Sequence, residues 1–415
     1  MDNDLNLKGK KKIFIRFSFV FIFLAVTTLS HLFFVQAGID TGKTEIAQDY
    51  LSDDSKSKVS MQSSTADSEV EQTSLAGTST EKELFSLDEV IAESLKSNSL
   101  LQSLDYLIET KEINWREQQD SARQIAEAEV KNLDSAKVKY FLPYDADIQV
   151  KVAKLDKENQ ENEISIQAIN AYMDTLYTQE AIVVLENGVK RAEEQLVTAK
   201  LNYEVGTITK VDVLSADVQL EQTKSELEQA KNNLKVKEMQ LNQVMNRSLT
   251  LPIELKMPDL NSDVSMDEEE VLNGLNYNLS IKQQKLELQS IDKLLNITKS
   301  FFSEKTYAYK SVMATKLTKE STISETKSKV ELGIRSQQIK IDSLKQTWNI
   351  MKQQVEKVEE TYQIMQHQYK AGFISYQEFA NTDQLLKQTG LEELQAKIDY
   401  YKAVFEYKYM IGMKL

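Results

Sequence analysis

Cysteine is absent from the 415 residues, which excludes structural disulfides, thiolate metal sites, a cysteine nucleophile and a lipidated N-terminal cysteine. Histidine occurs twice. His31 lies in an apolar run, and His367 stands two residues before Tyr369 and reads as an ordinary surface or core side chain. Glycine-rich phosphate loops are missing as well. These absences leave enzyme chemistry almost nothing to use, and no catalytic residue, cofactor or metal is expected. Three prolines and eleven glycines leave room for few turns. Basic charge is in deficit, with 64 acids against 50 bases and a formal net charge of −14. Nucleic acid is therefore not an expected partner, because phosphate binding needs clustered lysine and arginine.

Lys, Glu, Gln, Leu and Ala dominate what is present, the composition of long helices. Acids and bases alternate along them as on solvated faces. One turn stands out. Before Tyr203, apolar residues recur at Val189, Ala192, Leu196 and Ala199, the spacing of a helix face. After it, Val213, Leu220, Leu227, Leu234 and Leu241 are seven apart, which imposes a left-handed supercoil. Between the two, Gly206 suits the left-handed residue that closes a helix. Thr209 and Asp212 form the capping box that opens the next one. The same punctuation returns 166 residues later as Tyr369, Gly372, Ile374, Ser375 and Glu378. At an offset of 180, Leu95-Lys-Ser-Asn98 matches Leu275-Asn-Tyr-Asn278. The chain thus holds two copies of one helical hairpin.

Residues 1–37 carry a basic start, an apolar run from Ile13 to Val35, and a small-residue cleavage signal at Val35-Gln36-Ala37. Two readings stay open: a cleaved export signal, or a retained membrane anchor. Either places the rest outside the cytoplasm. Residues 38–83 are polar and read as a disordered linker. The first repeat spans 84–246, a linker with Pro252 and Pro258 spans 247–264, and the second repeat spans 265–415.

Within the first repeat, Ser86 and Glu89 cap a helix running towards Val130. The alternation of Ile148, Val150 and Val152 predicts a short strand, able to pair with Val138–Leu142 as a hairpin. Helices are expected over Ile164–Val205 and Lys210–Asn246. The second repeat predicts helices near 266–299, 325–371 and 375–415, with a gap from Ser300 to Ser324. The last helix is expected to be well buried through Leu391, Leu394, Ile398, Tyr401 and Phe405. The fold class is therefore mainly all-α: long antiparallel hairpins in two tandem repeats, with at most short β-hairpins between helices. Aromatics collect in both gaps, including Tyr140, Phe141, Tyr144, Phe301, Phe302, Tyr307 and Tyr309. Helix-end packing and membrane-interface anchoring are both open for them.

Tandem hairpins of this kind behind an export signal resemble the TolC-type outer-membrane efflux factors. The most specific match is Tyr203-x-x-Gly206-Thr207-x-Thr209-x-Val211-Asp212-Val213-Leu214-x-Ala216, similar to the family's turn at the tip of its helical tunnel. The second tip, Tyr369-x-Ala371-Gly372-x-Ile374-Ser375-x-x-Glu378, is similar to the family's other tip. The resemblance covers roughly residues 84–415. It implies a homotrimeric α-barrel in the outer membrane whose tips meet a membrane-fusion-type adaptor and an inner-membrane ABC or proton-driven pump. By the same resemblance, the docking tips are Tyr203, Val205, Gly206, Thr207, Ile208 and Lys210, then Ala371, Gly372, Phe373, Ile374 and Ser375. Asp212 and Glu378 match acids that narrow the family's tunnel, and they are equally capping-box acids.

Two departures accompany the match. Asn98-Ser99 and Asn278-Leu279 stand where the family has Asn-Pro. The apolar alternation lasts about six residues, against ~9–11 for a strand that crosses a bilayer. A truncated or missing β-barrel is expected. The alternative function is an envelope scaffold without channel activity, held to the cytoplasmic membrane if residues 13–35 are retained.

Overall fold

The computed structural model describes residues 83–258 and 267–413, Ser97 excepted. The expected export segment and nearly all of the polar linker lie outside the described residues. The described residues begin with strand β1 (Glu83–Phe85), helix α1 (Leu87–Lys96), helix α2 (Ser99–Gln124) and a short helix α3 (Leu133–Ala136). Hairpin one follows as α4 (Leu142–Glu204) and α5 (Lys210–Val244). Strand β2 (Ile253–Leu255), α6 (Glu268–Tyr277) and α7 (Leu279–Phe301) lead to hairpin two, α8 (Tyr307–Lys370) and α9 (Tyr376–Met410). At 63 and 64 residues, α4 and α8 are each ~95 Å long.

Side-chain caps set most of the boundaries. Ser86 and Glu89 exchange the expected bonds at the start of α1, with Ser86 N donating to Glu89 Oε2 at 2.8 Å. The single helix expected towards Val130 is instead broken at Asn98. Its side chain accepts from the backbone N–H of Leu100 at 2.9 Å and so opens a new helix, α2. Asn278 does the same for α7, accepting from Ile281 N at 3.1 Å. The absent proline of the Asn-Pro pattern therefore costs the cap nothing, since asparagine alone supplies the acceptor. Near the expected start at Ser265, Asp267 is the residue that caps α6.

Two strand expectations are corrected. Ile148, Val150 and Val152 are buried within α4 and not in a strand. The helix is packed by α2 and by α7, so positions two apart are buried on different faces and a period of two carries no strand meaning there. Val138–Leu142 forms no hairpin either. Lys137–Phe141 is a π-helical turn that runs into α4, and Pro143 is the second residue of that helix. The gap expected from Ser300 to Ser324 shrinks to five residues, 302–306, because Thr306 caps α8 at Tyr307.

The strands that do form pair in parallel, Glu83 with Ile253 and Phe85 with Leu255. Each leads into the first helix of its own repeat, so the pair ties the two repeats together at their entrances. The fully buried Tyr172 of α4 secures it, its hydroxyl meeting the carbonyls of Phe85 and Lys256. Burial pushes that hydroxyl up to about 12. Around it lies the largest core cluster, which includes Leu394, Ile398 and Phe405. The expected burial of α9 holds. Asp174 of α4 pairs with Lys402 of α9 and, at 3.1 Å, with Lys237 of α5. Burial would raise that carboxyl, but the two ammonium groups outweigh it and hold it below the usual range.

The duplication extends past the turns. Helices α5 and α9 have 35 residues each and are closed two residues past their ends by Asn246 and Gly412, again 166 apart, both at positive φ (59° and 81°). Asparagine tolerates this region and glycine adopts it freely. The sequence hides the match because the residue type differs.

A buried carboxylate marks the join of α6 to hairpin two. Glu270 accepts from the Tyr407 hydroxyl at 2.8 Å, and Gln338 donates to the same hydroxyl at 2.8 Å. Burial raises the Glu270 pKa, with the Asp267 charge adding to it, against the opposing hydrogen bond from Tyr407. A raised folded-state pKa means the folded chain holds this proton longer than the unfolded one. The penalty is absent below the ordinary value of 4.5 and fully present above the raised value. Glu270→Gln keeps an acceptor for Tyr407 without the charge. Its melting midpoint at pH 8 is expected about 2 °C above that of the natural chain, with the difference vanishing in thermal melts below pH 4.5. A variant that melts lower at pH 8 would contradict this reading.

Candidate docking and gating site at the hairpin tips

The two tips are built by the same kinds of backbone and side-chain bonds. At tip one, Gly206 N donates to Tyr203 O (3.0 Å) and Thr207 N to Asn202 O (2.9 Å), with Gly206 at φ 79°. At tip two, Gly372 N donates to Tyr369 O (3.0 Å) and Phe373 N to Gln368 O (2.9 Å), with Gly372 at φ 77°. Both are paired C-terminal closures that satisfy the last helix carbonyls. Nothing lies within 4 Å of a Cβ built on either glycine, so the positive φ alone demands the residue type.

The following helices open through reciprocal boxes. Thr209 N and Oγ1 donate to Asp212 Oδ2 at 2.8 and 2.7 Å. Ser375 N and Oγ donate to Glu378 Oε2 at 2.9 and 3.0 Å. The backbone bond from Ser375, then its hydroxyl, hold the Glu378 carboxyl below the usual range. Both acids thus act as caps, each turned back towards its own helix start.

The structure brings the two tips together. One core cluster takes Ala192, Leu196 and Ala199 from α4, Ala216 and Leu220 from α5, Tyr362 and Tyr369 from α8, and Tyr376 and Phe379 from α9. Tyr369 stacks on Phe379 at 5.1 Å and meets Tyr376 edge-on at 6.0 Å. Burial pushes the Tyr369 hydroxyl up, and the Asp212 carboxylate of tip one adds to the effect. Ile208 and Ile374 are half-buried against this cluster. The other expected tip residues are exposed: Tyr203, Val205, Gly206, Thr207, Lys210, Ala371, Gly372, Phe373 and Ser375. Val205 and Phe373 stand out at 73% and 81% exposure, large apolar groups with no cover among the described residues.

Sequence reasoning missed the asymmetry between the tips. Tyr203 and Tyr369 occupy the same repeat position, yet Tyr203 is 47% exposed and Tyr369 1%. Hairpin two spends its aromatics inward, on hairpin one. Hairpin one instead turns Val197, Leu201, Val205, Val211, Leu214 and Val218 outward. The spacing of Tyr362 and Tyr369, seven apart on α8, was the available signal. Also missed were the ion pairs that bind the hairpins to each other. Arg191 of α4 meets Asp383 of α9 at 2.5 Å and stands over the Tyr362 ring, 5.7 Å from its centroid. Lys387 of α9 pairs with Glu226 of α5. Among the described residues, no three His, Asp or Glu side chains are grouped to hold a metal ion.

Residues 144–247, from the start of α4 to just beyond α5, match the outer membrane efflux protein family. No curated protein sequence matches the chain. Several solved structures share the fold at low identity. The CmeC outer membrane channel of Campylobacter jejuni is 13% identical with a TM-score of 0.63, over 79% of this chain and 85% of that one. The outer membrane protein VceC of Vibrio cholerae is 12% identical with a TM-score of 0.66, over 79% and 97%. The MtrE outer membrane channel of Neisseria gonorrhoeae, in its open state, is 11% identical with a TM-score of 0.63, over 79% and 89%. Hairpin one matches the outer membrane efflux protein family by its sequence, and the helical body shares its fold with outer membrane channels such as CmeC and with VceC.

Proposed function

We propose that the chain is the duct of an efflux or export system of the cell envelope, assembled from three copies and docking an adaptor through its tips. The duct is passive: no side chain performs covalent chemistry, and an adaptor with an ABC or proton-driven pump delivers the substrate. The observation that carries this reading is the pair of like-built tips, set side by side with Val205 and Phe373 uncovered.

Self-assembly draws support from the repeat. Helix α7 packs on α8 of its own hairpin and also on α4 of the other, where Gln283 donates to Asp156 at 3.0 Å. Its duplicate, α2, packs chiefly on α4 alone and leaves Leu100, Tyr106, Leu107 and Ile113 exposed. The position that would complete the pattern is α8 of a second copy. Helix α8 offers a matching face, with Leu332, Ile339, Ile350 and Ile364 exposed. Their spacings of seven, eleven and fourteen keep to one side of a helix. Light scattering of the detergent-extracted full chain is expected to give the mass of three copies. A stable monomer would remove the duct.

One observation favours the second reading, an envelope scaffold that docks partners without conducting. The described strands have three residues each, against ~9–11 for a membrane strand. Outer-membrane placement therefore rests on the likeness to channels, not on a barrel among the described residues.

A further inference from the structure

Helix α7 packs on both α4 and α8, and the three helices line an open cleft of about 850 Å³. That is the size of a site for a small organic molecule. Phe141, Ile291 and Leu294 give it an apolar side. Its charged lining is two acids, Asp145 and Glu287, against one base, Lys319. Glu287 and Lys319 pair with each other, and on the same seam Asp292 takes Lys316 at 2.9 Å. Asp145 is the exception. It is half-buried and accepts from the Ser290 hydroxyl, and no lysine or arginine among the described residues pairs with it. The hydroxyl groups of the cleft have already spent their hydrogens. Thr315, Thr318 and Thr322 of α8 each donate to the carbonyl four residues back, at 3.1, 3.0 and 3.0 Å. Ser290 gives its own hydrogen to Asp145. What these oxygens still offer is lone pairs.

We propose that the cleft binds a small protonated primary amine with an apolar body. The ammonium group meets Asp145, and the body lies along Phe141, Ile291 and Leu294. An ammonium carries three N–H donors and no acceptor. It therefore complements a wall that is rich in acceptors, poor in donors and one negative charge out of balance. A trimethylammonium on the same body keeps the charge but has no N–H to donate. An alcohol keeps one donor without the charge. Each loses the charge-assisted bond to the carboxylate. The cleft is complete within one copy, so the binding stands apart from the assembly and from the tips.

The cysteine-free sequence makes the test clean. Ala314→Cys puts one thiol in the cleft without removing an oxygen, and Val205→Cys puts one at tip one as the control. Each full chain is treated with methyl methanethiosulfonate, a neutral thiol reagent, and its modification is followed by mass. The reaction is run with phenylbutylamine, with its trimethylammonium analogue or with phenylbutanol. The amine is expected to slow modification at position 314 and to leave 205 unchanged. The two analogues are expected to need about tenfold higher concentration for the same protection. Asp145→Asn keeps an acceptor for Ser290 and is expected to weaken protection by the amine about tenfold, to the level of the alcohol. Four results overturn the proposal. No compound slows the reaction at 314 more than at 205, the alcohol or the trimethylammonium analogue protects as well as the amine, Asp145→Asn leaves the protection unchanged, or the thiol at 314 is unreactive before any compound is added because another copy covers it.

Discussion

Tyr369→Ala is expected to destabilise the chain by about 3–5 kcal/mol, and Tyr203→Ala to change stability by less than about 0.5 kcal/mol. The two residues are duplicates by position, and nothing local separates them. Tyr369 is held between Phe379 and Tyr376 in the shared tip core, so truncation leaves a cavity that the surrounding helices cannot close. Tyr203 is exposed and loses little within one copy. In the proposed assembly it belongs to the exposed face of hairpin one, with Leu201 and Val205. There its removal is expected to weaken association about tenfold, as for an aromatic group at an interface. Urea unfolding at low protein concentration reads the first effect, and mass against concentration reads the second. Equal stability losses at the two positions would mean that the hairpins are packed alike, contrary to the cluster at the tips.

Asp383→Ala is expected to cost about 3 kcal/mol, because it strands the mostly buried Arg191 guanidinium without its carboxylate. The partner change Arg191→Met is expected to cost less, since methionine fills the space over Tyr362 without a charge. The double variant should lie close to Arg191→Met alone, giving a coupling of about 3 kcal/mol in a double-mutant cycle. Because α4 and α9 belong to different hairpins, this coupling reports how firmly the hairpins are joined near the tips. Two single effects that simply add would show that the pair does not hold them together.

The tips were legible in the sequence because their signals are local. A glycine at positive φ, a hydroxyl cap and an acid three residues on each act within one turn of chain, so residue type fixes conformation there. The burial of α9 was legible for a related reason, since Leu394, Ile398 and Phe405 keep to one helix face. The candidate tip residues Ile208 and Ile374 could not be separated from Val205 and Phe373 in this way. All four are apolar residues in the same short turns, and only the second hairpin's position decides which of them it covers.

Residue order alone determined the helical class, the duplicated hairpin and its turns, because composition, periodicity and caps are properties of short stretches. Tertiary structure decided what happens between stretches. It made Ile148, Val150 and Val152 helical, since a helix packed by neighbours on both sides buries alternate residues as a strand does. It paired β1 with β2 across 170 residues of chain, a bond between backbones that carries no mark in side-chain pattern. It also gave equivalent tyrosines opposite environments, because one hairpin has a neighbour on that side within the chain and the other leaves that side open.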